Sequence, residues 1–505
     1  MDLDGNYNGE NAFDFYDTTT NNPSLGKNDT HSHGTHIAGI IGAVGNNAIG
    51  ITGINWDISL VQLRSLYATN STVAIINAVN YASDLWETSK RIHILSFSIG
   101  MGGHSSQLEN VIRSYCNKGG LFICSTGNDP QNNDLEGQHH YPSFYGSSLY
   151  SNPIANMITV GRTDIDDNRP TGANWGMNTI DIYAPGENII STVPTDLCSD
   201  NIFECTLSGH KEYGYHYKSG SSMSTPHVSG VAALLLSMNP NLTAIQIKNC
   251  ILNGADIINI TTGDGNTQSV KRLNAWGAFE HMLENYIPSY TLGTTNTQGT
   301  LFTDRTSTYY LEKHPLAKIV LPYSEEFTFT ISGVGSSVDV VLYDSEMNEI
   351  AIEKSWTNSL WTVSFTKELT SGVYYISPSY NATTGGTYLN LTVSHTHSYD
   401  FWENYSASKH IECCACGSVG TTKDFHVIRS AVTAGNKANC MYCGAFINLD
   451  DTIVQVPGLL NIQKVTINGS YILPNGIIVL VDEDIEAYEN GTLVFYDQDK
   501  LPQTQ

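Results

Sequence analysis

No stretch of about twenty consecutive apolar residues, the length a membrane-spanning helix needs, occurs in the 505-residue sequence, which excludes a helical span. Basic residues are scarce: 24 Lys and Arg stand against 49 Asp and Glu, a net charge of -25 spread along the chain rather than gathered in blocks. That balance argues against nucleic acid or an anionic membrane as partner, and for a soluble protein. Charge of either sign is sparse at 14%, while Asn, Thr, Ser and Tyr are abundant. Cysteine is sparse except between 413 and 443, which holds five of the ten. The first residues carry no signal-peptide pattern. The length allows two or three domains with a large core.

Against that background one run stands out: Ser219-Gly220-Ser221-Ser222-Met223-Ser224-Thr225-Pro226-His227-Val228, followed by Val231, Ala232, Ala233, Leu234, Leu235 and Leu236. The apolar residues fall at helical spacing, so small residues and serines sit at a helix mouth. Unpaired N–H groups and the positive dipole end meet there, favourable ground for a developing oxyanion. By itself the pattern marks a helix start, and an N-cap serine is an equal reading of it. A second helix mouth is His33-Gly34-Thr35-His36-Ile37-Ala38-Gly39-Ile40-Ile41-Gly42, with Ser32 expected as its N-cap. His31, His33 and His36 also admit a metal reading, though without the i, i+4 pair and intervening Glu of a helical zinc site. A third piece, Leu121-Phe122-Ile123-Cys124-Ser125-Thr126-Gly127-Asn128-Asp129, reads as a buried strand ending in a turn, where Asn128 is a turn residue or an amide donor.

In this order the three pieces resemble the subtilisin-like serine peptidases. The resemblance extends to Asn46 through Ile54, to Ser96-Phe97-Ser98-Ile99-Gly100, to Tyr183-Ala184-Pro185-Gly186 with Ile189 to Thr192, and to Leu273-Asn274-Ala275, covering about residues 1–285. It implies an α/β fold with a mostly parallel sheet flanked by helices, and an acyl-enzyme endopeptidase needing no catalytic cofactor. Ser222 would then be the nucleophile, His33 the general base, and Asn128 with the Ser222 N–H the oxyanion donors. Ser98, Ile99 and Gly100 would pair with substrate, Ile99 suggesting a pocket tolerant of apolar side chains. The Gly45 to Ile51 loop resembles the family's calcium loop, with Asn47 as side-chain ligand and its carboxylate expected from an upstream segment.

The chain departs from the family upstream of His33. The family's catalytic aspartate ends an apolar strand followed by Asp-Thr/Ser-Gly, and no such run is present. Asp14, Asp17 and Asp29 precede His33 without an apolar strand before them, and Asp29 reads as a loop or capping carboxylate. Loss of the triad carboxylate lowers turnover by about four and a half decades, about 6 kcal/mol of barrier. The expectation is therefore a serine endopeptidase domain lacking its first strand, with the Asp in a missing upstream segment. The alternative is an impaired pseudopeptidase acting as a binding or scaffold protein.

Beyond residue 285 the periodicity changes. A linker near 291–300 leads to period-two segments such as Phe327-Thr328-Phe329-Thr330-Ile331, which predict a β-sandwich over 301–394, a module type that docks a partner in such proteins. Residues 395–447 hold two Cys-x-x-Cys-Gly knuckles. Cys413, Cys416, Cys440 and Cys443 have the spacing of a structural zinc site, and disulfides are the other reading. Residues 448–505 read as a short β-rich tail. Cys198 and Cys205 suit a loop disulfide, whereas Cys116, Cys124 and Cys250 fall in apolar stretches and read as buried thiols. Nine Asn-x-Ser/Thr sites agree with a secreted or cell-surface glycoprotein, expected to be a monomer.

Overall fold

The computed structural model describes residues 2–9, 11–15, 29, 31–65, 72–195, 214–287, 289–291, 297–302, 316–322, 324–333, 337–357, 362–381 and 388–395, with short strand backbones between 401 and 480. Two compact units result, one holding Met1–Pro288 and the other most of the remainder.

The first unit alternates helix and strand. Strands β1 (Phe13–Asp14), β2 (Leu63–Arg64), β3 (Ile94–Phe97), β4 (Leu121–Ser125), β5 (Met157–Thr163), β6 (Ile182–Pro185), β7 (Ile189–Thr192), β8 (Tyr215–Lys218), β9 (Asp256–Thr261) and β10 (Thr267–Arg272) accompany, among the described residues, six α-helices. These are α1 (His33–Gly42), α2 (Thr72–Asp84), α3 (Ser106–Asn117), α4 (Ser221–Met238), α5 (Ala244–Asn253) and α6 (Ala275–Asn285). The main sheet has six strands in the order β3-β4-β5-β6-β10-β9, parallel except for the β9–β10 pair. Every residue of β4 and β5 is buried, as expected of parallel strands covered on both faces, and their continuous apolar runs supply that burial.

β2 pairs in parallel with the two-residue β1, and a single bridge from Leu60 to Tyr7 precedes that pair. β3 forms the outer edge of the six-stranded sheet, and Ile94, Leu95 and Ser96 are only half-buried. Helix α4 is buried along most of its length, including Val228, Ala232 and Leu235, and packs against β3, β4, β5 and β6. Its apolar residues lie all round, the composition of a helix without a solvent face.

The second unit is β-rich. One five-stranded sheet contains Ala317–Leu321, Ser337–Tyr343 and Gly372–Asn381, and another contains Glu325–Gly333, Thr362–Leu369 and Tyr388–His395. Phe327, Phe329 and Ile331 are buried in alternation, and Phe329 stacks on Phe365 across the strand pair at 4.8 Å between ring centroids. The side chains of Cys413, Cys416, Cys440 and Cys443, and residues Cys198 and Cys205, lie outside the described residues. Cys116, Cys124 and Cys250 are buried free thiols, and burial pushes Cys116 and Cys250 up to about 12.

Candidate active site at two helix mouths

Helix α4 begins at Ser221 after Gly220, so the half-buried Ser222 lies in the first turn, whose N–H groups have no intrahelical acceptor. Pro226, four residues on, has no N–H to give the Ser222 carbonyl. The Ser98 hydroxyl donates to that carbonyl instead, at 3.0 Å. The Ser222 hydroxyl in turn faces the Ser98 carbonyl at 3.4 Å. The proline thus frees a carbonyl that ties the turn of Ser222 to the end of β3.

Asn128 follows β4 through Thr126 and Gly127. Its side-chain oxygen accepts from the Ser221 N–H at 2.9 Å. With the oxygen committed, the amide nitrogen is left as donor beside the same turn, 3.4 Å from where a β-carbon on Gly220 would sit. Ser221 locks the pair further, since its hydroxyl lies 3.2 Å from both the N–H and the carbonyl of Gly127. Asn128 is exposed, so its amide is open to a ligand.

Helix α1 packs against α4 and carries His33 at its first position. Ser32 does not cap this helix. Its φ of 68° is left-handed and its hydroxyl makes no cap bond, accepting instead from Lys218 Nζ at 2.8 Å. Asp29 serves as the cap: its carboxylate accepts from the N–H groups of His31, Ser32 and Thr35 at 2.9, 2.8 and 3.0 Å, and from the Thr35 hydroxyl. Burial opposes ionisation of Asp29, but these bonds outweigh it and hold its pKa below the ordinary value. Asp14 is engaged with Arg64 at 2.6 Å, and Asp17 lies outside the described residues.

Among the described residues no hydrogen bond joins His33 to Ser222, and none joins a carboxylate to the His33 ring. Burial, then the Lys218 and His31 charges, push His33 down to about 4, with Asp29 acting in the opposite direction. His36 is engaged structurally, its Nε2 lying 3.0 Å from the carbonyls of both Ile189 and His216. Among the described residues no group of three or more His, Cys, Asp or Glu side chains could hold a metal ion, so His31, His33 and His36 do not form one.

Ser98, whose hydroxyl lies 3.0 Å from the Ser222 carbonyl, and Gly100 follow β3, and the partly buried Ile99 between them packs against the core cluster that includes Phe97 and Leu108.

The loop at 45–51 holds a feature the sequence reading placed elsewhere. Asp2, 3% exposed, accepts from the Asn47 amide at 3.2 Å, the Ile51 N–H at 3.1 Å and the Tyr215 hydroxyl at 2.6 Å. The carboxylate expected from upstream is thus matched by one within the chain. Carboxylate, carboxamide and carbonyl oxygens are the hard donors calcium takes, but the Asn47 oxygen accepts from the Ile49 N–H at 2.9 Å, so calcium would have to displace that bond. Only the 45-residue separation hid Asp2 from the sequence reading.

The fold is an α/β fold with a mostly parallel sheet, and it sets a helix-mouth serine beside an exposed amide. The chain belongs to the subtilase family, whose model matches residues 1–278. Among its relatives, M-protease of Shouchella clausii (strain KSM-K16) is 32% identical over 239 residues, 47% of this chain and 52% of that protein. The thermophilic serine proteinase of Bacillus sp. (strain AK1) is 32% identical over 252 residues, 50% of this chain and 52% of its own length. Subtilisin Savinase of Lederbergia lenta is 31% identical over 233 residues, 46% of this chain and 73% of that protein. The chain spans about half the length of the first two relatives.

Proposed function

We propose that this chain is a serine endopeptidase acting on polypeptides, with Ser222 as nucleophile and His33 as general base. The observation that carries the reading is the Asn128 carboxamide, pinned by the Ser221 N–H so that its nitrogen serves the turn that presents Ser222. A substrate strand pairs along Ser98 to Gly100 and brings its carbonyl to the Ser222 hydroxyl. His33 takes the hydroxyl proton as the bond to carbon forms, and Asn128 with the Ser222 N–H bears the oxyanion. On collapse the protonated His33 gives its proton to the leaving amine, and water repeats the sequence to free the acyl group.

The imidazolium in this scheme requires a carboxylate partner. We assign that role to an aspartate on a further strand seated against the outer edge of β3, where Ile94, Leu95 and Ser96 are only half-buried. The low pKa of His33 favours a second reading for the chain acting alone, an impaired enzyme that binds polypeptides. Labelling with a fluorophosphonate separates the two. The endopeptidase reading expects covalent modification at Ser222 that Ser222→Ala abolishes, and the binding reading expects none.

Around this centre we place a structural calcium held by Asp2 and Asn47, which would tie the first residues to the loop after α1. The two five-stranded sheets are assigned to a β-sandwich over 301–394 that docks a partner. A structural zinc would be held by Cys413, Cys416, Cys440 and Cys443 in 395–447. An extracellular or cell-surface monomer agrees with the sequons and with the acidic balance.

A further inference from the structure

One lysine stands at the junction of the two helix mouths and has no part in the proton transfers above. Lys218 ends β8, the strand that runs into the turn of Ser222, and its Nζ donates to the Ser32 hydroxyl at 2.8 Å. Ser32 is fully buried and directly precedes His33. The lysine thus reaches from the nucleophile's strand to the start of the helix that carries the base.

The surroundings hold this contact in place. The hairpin of β7 and β8 is fastened to α1 at several points. The Ser191 hydroxyl donates to the His36 carbonyl at 2.7 Å, and the Thr192 hydroxyl to the Thr35 carbonyl at 2.8 Å. His36 Nε2 lies 3.0 Å from the carbonyls of Ile189 and His216. Lys218 pairs with Ile189 in the hairpin, so its backbone is fixed relative to α1. Ser32 adopts a left-handed φ of 68°, which costs a serine energy, and gives its hydroxyl to the lysine instead of to a helix cap.

The consequence is electrostatic. An ammonium anchored on Ser32 is poorly screened from the ring of the next residue, and a positive charge there disfavours the imidazolium. Burial is the largest cause of the low His33 pKa, about 4, and the Lys218 charge is the next. His31 adds to that effect and Asp29 opposes it. Helix α1 itself carries His36, and β7 carries no titratable side chain. β8 carries Tyr215, His216 and Tyr217 besides the lysine, and α4 carries His227, whose Nδ1 lies 2.8 Å from the Met223 carbonyl. Among the described residues of these elements Lys218 is the one permanent cation.

Resting on the endopeptidase reading of the site, we propose that Lys218 is a positioning residue for the base: anchored on Ser32, its fixed positive charge keeps the His33 imidazole neutral, and so able to take the Ser222 proton, in acidic media where an ordinary histidine is already charged. A carboxylate arriving on a further strand draws His33 towards the imidazolium, and Lys218 limits that draw. The same charge weakens His33 as a base, so the lysine trades rate at neutral pH for activity at acid pH.

The test is titration of the His33 ring by NMR in the full chain carrying Ser222→Ala, the signal being assigned by its loss in His33→Gln. Lys218→Met should raise the midpoint by about one pH unit, because removing the positive charge favours the imidazolium. Lys218→Gln, which keeps a donor for Ser32 and with it the local fold, should raise it as much. Lys218→Arg should leave it in place, and Ser32→Ala, which frees the ammonium, should raise it part of the way. A lysine with a merely structural role would alter thermal unfolding and leave the midpoint where it is. A midpoint unchanged in a folded Lys218→Met or Lys218→Gln chain, or raised equally by Lys218→Arg, overturns the proposal. With Ser222 intact, the pH midpoint of fluorophosphonate labelling should follow the same shifts, and a labelling midpoint that ignores them overturns it too. Absence of labelling in every chain, with the NMR midpoints moving as stated, overturns the endopeptidase reading and leaves the control of His33 by Lys218 standing.

Discussion

The Ser98 hydroxyl donates to the Ser222 carbonyl at 3.0 Å, a bond made possible because Pro226 cannot supply the helical one. A proline in the second turn of α4 and a serine at the end of β3 thereby hold the candidate nucleophile against the strand where a substrate would pair. Ser98 is buried, so the bond is shielded from competing water.

Ser98→Ala leaves the Ser222 carbonyl without this donor. The expected cost is about 1–3 kcal/mol, with a fall in Tm of about 2–4 °C per kcal/mol. Thermal unfolding read by circular dichroism checks it, and an unchanged Tm would mean the bond contributes nothing net.

Asn128→Ala removes the amide donor and also releases the Ser221 N–H. Turnover of a peptide substrate should fall about 10²- to 10³-fold with KM little altered, because the donor acts on charge that exists only in the transition state. A rise in KM at constant kcat would place Asn128 in ground-state binding instead.

Two buried histidines and the half-buried His33 make the fold acid-sensitive. His33, His36 and His140 are each lowered from 6.5 to about 4, burial being the largest cause in all three. The unfolded chain takes up their protons below about 6.5 while the folded chain resists until about 4, so stability is full above that window and declines as pH falls through it. Tm measured from pH 7.5 to 4 should drop steadily below about 6.5. Asp29 adds a loss at lower pH, since its depressed carboxyl stabilises the fold above its ordinary value and ceases to as it protonates.

Calcium at Asp2 and Asn47 would bind the folded form alone and raise its stability by mass action. A chelator should lower Tm, and Asp2→Asn should both lower Tm and abolish the chelator's effect. Identical melting with calcium and with chelator contradicts the assignment.

Much of this site was legible in the chain itself. The apolar spacing after Ser222, the small residues of α1 and the short apolar run before Asn128 announce their elements, because each is a local signal. What escaped depends on distance. Ser32 was expected to cap α1, but its left-handed backbone turns it away and Asp29 reaches the amides instead. Asp2 gains meaning only from a partner 45 residues away, Asn47.

The central claim is that an imidazole on α1 activates a hydroxyl on α4, and the rate of fluorophosphonate labelling at Ser222 as a function of pH tests it most directly. The account predicts modification confined to Ser222, rising with pH as a single neutral base is freed, and slowed at least 100-fold by His33→Ala. Labelling that is absent, that falls on another residue, or that proceeds equally fast without His33 would contradict it.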